Sequence, residues 1–159
     1  NVNDRNDAYG GLVENRIRFA SELLKSVIKK IGNDRLMVRI SPSRMMGGLY
    51  EWPDKFEILK ELIKDFDLSG LRQLDISCAN SNYFETSGKT IKKIRSLWPH
   101  TMVGGASLKV EEAEKEIESG NLDLVTWGRL ILANPDFVRL IEKKLPIKPF
   151  EEIMRKKLY

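Results

Sequence analysis

A single cysteine, Cys78, leaves no partner for an intrachain disulfide and no cysteine-rich zinc or iron-sulfur site. A single histidine, His100, makes metal chemistry a poor reading as well. No apolar run approaches the roughly 18 residues that a membrane span needs, and Asn1-Val2-Asn3-Asp4-Arg5 is polar where a signal sequence would be apolar. A strong charge of one sign is also missing. The net charge of +4 comes from Lys and Arg residues interspersed with Glu and Asp along helical segments, the pattern of solvated helix faces and not of a nucleic-acid surface. The Arg155-Lys156-Lys157 run reads the same way. What remains is one globular unit expected in the cytoplasm, with no membrane or nucleic-acid partner; 42% of its 159 residues are hydrophobic, enough for a real core.

Along the chain, short apolar stretches alternate with amphipathic ones. After a polar loop, Val13, Ile17, Ala20, Leu24, Val27, Ile28 and Ile31 recur at helical spacing up to Gly32. Residues 36–40 predict a strand with Arg39 near its C-terminal end, followed by a loop through Gly47-Gly48. A helix then starts after Asp54, with Phe56, Leu59, Ile63 and Phe66 on one face. The unit repeats as a strand over 71–77, a polar loop over 81–87, and a helix over 89–98 with Ile91, Ile94, Leu97 and Trp98 inward. It repeats again as a strand over 101–103 and a helix with Ser107 as N-cap, Glu111 and Glu112 in its first turn, an i,i+4 pair from Glu111 to Lys115, and Gly120 as stop. A fourth strand runs into Trp127-Gly128-Arg129, and Asn134-Pro135-Asp136 predicts a capped helix start. Such alternation predicts an α/β fold with a parallel sheet and right-handed crossovers.

The stretch from Asn121 to Arg129 organises the rest. It is a buried strand ending in a glycine, where a backbone can approach a ligand, with a guanidinium beside it. About twenty residues earlier Thr101-Met102-Val103-Gly104-Gly105 has the same form. Neighbouring strands of this kind aim their glycine turns at one phosphate, as the last two strand ends of a (β/α)8 barrel commonly do. Four strand-helix units preceded by one helix are half of such a barrel, which normally takes about 250 residues. Residues 1–159 are therefore read as a single partial domain.

Several stretches resemble the old yellow enzyme family, the FMN-dependent NAD(P)H:flavin oxidoreductases and ene-reductases built on a TIM barrel. They are Asn3-x-Arg5-x-Asp7-x-Tyr9-Gly10-Gly11 with Glu14-Asn15-Arg16-x-Arg18-Phe19, then Val38-Arg39-Ile40-Ser41-Pro42, Val103-Gly104-Gly105, and Gly128-Arg129 followed by Asn134-Pro135-Asp136. The resemblance aligns with the C-terminal half of the family's barrel. It implies FMN as cofactor, NAD(P)H as electron donor and a small molecule with an activated alkene as substrate of the complete enzyme. It also implies that Arg39 lies beside the flavin's pyrimidine edge, and that Gly104, Gly105, Gly128 and Arg129 hold the FMN phosphate.

The departures from the family pattern matter as much. Leu12 stands where the family has a serine cap. The family's carbonyl-gripping His and Asn or His pair, and its proton-donating tyrosine, precede the loop at which this sequence begins, so no catalytic residue is assigned. His100 precedes a strand and belongs at the opposite face, as a surface residue. Cys78 and Tyr83 follow a strand end; Cys78 reads as a small buried side chain and Tyr83 as an exposed loop aromatic. With only half a barrel in hand, the expected partner is the missing N-terminal half or a second copy of the chain. Two other readings stay open, a phosphate-binding half of another barrel enzyme such as an aldolase or isomerase, and a non-catalytic half-barrel module.

Overall fold

Four strands form one parallel sheet in the computed structural model of the protein, which describes residues 3–45 and 47–156. The elements in order are helix α1 (Val13–Ile31), strand β1 (Val38–Ile40), strands β2 (Ser43–Met45) and β3 (Leu49–Glu51), helix α2 (Lys55–Leu68), strand β4 (Gln73–Ile76), helix α3 (Ser87–Ile94), strand β5 (Thr101–Gly105), helix α4 (Val110–Glu118), strand β6 (Leu124–Thr126), and helices α5 (Arg129–Ala133) and α6 (Phe137–Glu142). The parallel strands lie in the order β1-β4-β5-β6, each next to its sequence neighbour once the small β2-β3 hairpin is set aside. That is the arc of a barrel wall, and the expected strand-helix alternation is present.

Strand alternation divides the sheet into two faces. Ile40, Ile76, Gly104 and Val125 are aligned across the four strands, and Val38, Leu74 and Met102 form a parallel row. Both rows meet the helices in a core with Leu59, Ile63 and Phe66 of α2, Ile91 and Ile94 of α3, and Trp98. The other face carries the row Arg39, Asp75, Val103 and Leu124. Met37 and Leu124 are exposed there, whereas Val103 is buried. Leu74 is fully buried against the helices, because its position in the alternation matches Met102 and not Val103.

Several local expectations need correction. The loop through Gly47-Gly48 is the turn of the β2-β3 antiparallel hairpin, both glycines having positive φ. Ile31, Phe56 and Leu97 are exposed; α3 stops at Ile94 and continues as a 3-10 turn that swings Leu97 outward while Trp98 stays inside. Ser107 caps nothing, since α4 begins at Val110 after Lys109. Asn134 is not the N-cap of α6 either; it closes the C-terminal end of α5. Its side chain bonds the Leu130 carbonyl and both backbone groups of Lys148, pinning the C-terminal segment to α5, and α6 starts after Asp136. At α1 the Leu12 position makes no side-chain cap bond. Arg155 and Lys156 are exposed, while Asn1, Val2 and Lys157 fall outside the described residues.

Candidate functional site

The C-terminal ends of the parallel strands border an open cavity of about 850 Å³, within the size of small-molecule sites. Arg39 comes from β1, Cys78 and Asn80 from the segment after β4, Gly105 and Ser107 from the end of β5, Gly128 and Arg129 from the turn after β6, and Phe150 from the C-terminal segment. Four of the five expected binding residues are therefore brought to one site. Gly104 is not among them. Its missing Cβ would meet Ile91 Cδ1 at 2.7 Å and Leu122 Cδ2 at 2.8 Å, so its glycine serves the close packing of sheet on helices.

Gly105 lies on the cavity side but inside β5, and a Cβ there would stand 2.4 Å from the Thr126 carbonyl oxygen. Its own carbonyl accepts a 2.8 Å bond from the buried Ser87 hydroxyl. Gly128 differs from both. It has φ −101°, which any residue adopts, and nothing lies within 4 Å of the position its Cβ would take. The protein's own packing therefore gives no reason for a glycine at 128, and the open backbone is free for a ligand to approach.

Beside it, Arg129 is exposed and donates from Nη2 to the Ser107 hydroxyl at 2.7 Å. Ser107 and Ala106 have φ values of 61° and 132°, a strained pair of non-glycine residues at the strand end, where strain commonly accompanies a binding site. The Trp127 indole N–H donates to the Leu108 carbonyl at 2.9 Å, a second tie between the turns after β5 and β6. The turns after β5 and β6 thus line a concave end with the Ser107 hydroxyl, the Arg129 guanidinium and Lys109, groups that suit a phosphate.

Arg39 projects from the sheet's other edge with a half-exposed side chain. Its Nε and Nη2 both contact Asp75 Oδ2 at 2.7 Å. Asp75 is fully buried and was not singled out from sequence, although its alternation with Leu74 and Ile76 puts it on Arg39's face. Ser107 was expected as a helix N-cap and not at the cavity, and Phe150 was not expected there, since their placement depends on backbone strain and on the anchored C-terminal segment.

Tyr83 is the clearest reversal. An Asn82 cap folds residues 83–85 into a 3-10 turn, and the ring is buried instead of exposed. Its hydroxyl donates to Glu116 Oε2 at 2.8 Å; burial, then the Glu116 bond, pushes its pKa far above the ordinary tyrosine value. It is committed to the helix layer and is no proton donor for the cavity. Cys78 is buried as expected. His100 is partly buried at the opposite end of β5, with Nε2 2.7 Å from Asp67 Oδ1.

The model of the NADH:flavin oxidoreductase / NADH oxidase family matches residues 1–148. A Leishmania infantum protein described as a probable flavin mononucleotide-dependent alkene reductase is 35% identical over 136 residues, which make up 86% of this chain and 36% of that protein. For 12-oxophytodienoate reductase 2 of Arabidopsis thaliana the identity is 27% over 151 residues, 94% of this chain and 40% of the relative. The old yellow enzyme homologue from Zymomonas mobilis superposes with a TM-score of 0.83 at 27% identity, over 96% of this chain and 43% of that one. The chain thus spans less than half the length of these relatives, and its sheet and helices are part of a TIM barrel. FMN and a nicotinamide donor, the cofactors that the sequence resemblance implied, are those of the matched family. The chain belongs to the NADH:flavin oxidoreductase / NADH oxidase family.

Proposed function

We propose that this chain forms the FMN-phosphate-holding part of an NAD(P)H-dependent flavin oxidoreductase that transfers hydride to an activated alkene. The observation that carries the reading is the pairing of Arg129 with the unfilled backbone position at Gly128, at the mouth of a cavity that Arg39 also lines. FMN, when bound, accepts hydride from the nicotinamide and passes it on. Arg129, Gly128 and the strained Ala106-Ser107 turn hold the phosphate, Gly105 lines the same side of the cavity, and Arg39 offers positive charge to the ring. Cys78, a free buried thiol, suits the cytoplasm.

Among the described residues the cavity lining contains no histidine and no tyrosine, and Tyr83 points into the helix layer. Among the described residues the site thus has no imidazole to grip a carbonyl and no phenol to supply a proton, two tasks that hydride transfer to an enone requires. We therefore expect a polypeptide of these 159 residues, given saturating FMN and NAD(P)H, to reduce cyclohexenone no faster than free flavin does. Sustained turnover by the pure chain would relocate the active site.

The open face suggests how such a polypeptide behaves alone. Met37 and Leu124 are exposed on it, and among the described residues neither β1 nor β6 has a strand on its outer side. Unpaired edges next to apolar surface favour association. We propose that the chain either self-associates or docks with the other half of a barrel, burying on the order of 1,500 Å². Sedimentation at micromolar concentration should show a dimer, or a loosely packed chain. A sharp 18.3 kDa monomer that unfolds cooperatively would contradict this.

A further inference from the structure

Asp75 is fully buried, yet its carboxylate has only one protein partner among the described residues. Oδ2 accepts the Nε–H bond of Arg39 at 2.7 Å and lies 2.7 Å from Nη2 of the same guanidinium, whereas Oδ1 is shielded from solvent with no hydrogen bond. On the neighbouring strand the residue in register is Val103, which offers no donor from its side chain. A buried carboxylate held on one oxygen is a poor device for stability, because desolvation of the ion opposes the attraction. The same arrangement is a good device for orientation. With Nε–H bonded and Nη2 held against the same oxygen, the guanidinium is kept in one orientation, and its other N–H groups are left for whatever occupies the cavity that Arg39 lines.

We propose that Asp75 is a positioning residue, aiming the free N–H edge of Arg39 at the flavin ring. This rests on the reading that FMN occupies the cavity. Asp75 itself touches no ligand; it acts through Arg39, so its contribution vanishes when Arg39 is absent.

A double-mutant cycle on FMN binding tests this directly, using the full chain, Asp75→Asn, Arg39→Leu and the pair. Asp75→Asn keeps the side-chain volume but replaces the carboxylate with a weaker neutral acceptor. Its expected effect is a loss of affinity of roughly three- to tenfold with Arg39 present, and none in the Arg39→Leu background. The visible flavin spectrum supplies a second readout: the difference between native and Arg39→Leu spectra should shrink in Asp75→Asn. Thermal unfolding of Asp75→Leu, which removes the buried ion altogether, should show no loss of stability. Equal affinity losses in both backgrounds, or no loss in either, would overturn the positioning role while leaving the flavin reading intact. If the native chain binds no FMN, the flavin reading fails first and the inference with it.

Discussion

Replacing Arg129 with alanine is expected to weaken FMN binding roughly ten- to a hundredfold, the equivalent of about 1.5–3 kcal/mol for one charge-assisted contact. The guanidinium is exposed at the cavity, and its Nη2 bond to the Ser107 hydroxyl holds it at the strained turn after β5. A neutral hydroxyl does not neutralise it, so its charge is available to a phosphate. The same substitution should leave folding nearly unchanged, because an exposed side chain with one exposed hydrogen bond contributes little to stability. Fluorescence titration of FMN into the native chain and Arg129→Ala measures the difference. Superimposable curves would remove Arg129 from the site.

Gly105→Val is expected to have the largest effect on the fold near the site. A Cβ at 105 would sit 2.4 Å from the Thr126 carbonyl oxygen and 2.6 Å from its hydroxyl. Thr126 is the residue paired with Gly105 in the β5-β6 ladder, so relief requires the strands to separate and not merely a side chain to turn. Overpacking of this kind costs about 1–3 kcal/mol or more, a large part of the roughly 5–15 kcal/mol that stabilises a typical domain. It would also carry away β6, the strand that delivers Gly128 and Arg129. Gly128→Ala is the matched control, since its Cβ meets no atom within 4 Å and its φ of −101° suits any residue. Urea unfolding should therefore show a clear drop in midpoint for Gly105→Val and almost none for Gly128→Ala. Equal midpoints would mean that β5 and β6 tolerate a side chain between them.

The three glycines also show what a sequence can and cannot convey. Gly104, Gly105 and Gly128 look alike as residues beside a candidate phosphate site, but a strand sends successive side chains to opposite faces. Gly104 shares its face with Met102 and belongs to the helix layer, whereas Gly105 shares the face of Val103. That parity was present in the sequence and unused. The strands, their order and the convergence of Arg39 with Arg129 were legible because apolar runs, helix periods and motif spacing are local properties. Tyr83 was not, because an Asn82 side chain capping a 3-10 turn redirects the ring toward Glu116, which lies 33 residues away in the sequence. Asn134 likewise has the sequence context of a helix N-cap, but its amide holds Lys148 from both sides, a contact 14 residues away in the chain. Asp75 is, in the sequence, only a polar residue between Leu74 and Ile76; it is the register with Arg39 that gives it a partner.

Equilibrium dialysis of the purified chain against FMN and against riboflavin tests the phosphate site most directly, because the two ligands differ only in the phosphate. The expected result is retention of FMN with riboflavin bound roughly ten- to a hundredfold more weakly, a gap that closes in Arg129→Ala. Equal retention of both ligands by the native chain, or retention of neither, would contradict the assignment of Gly128 and Arg129 to the FMN phosphate.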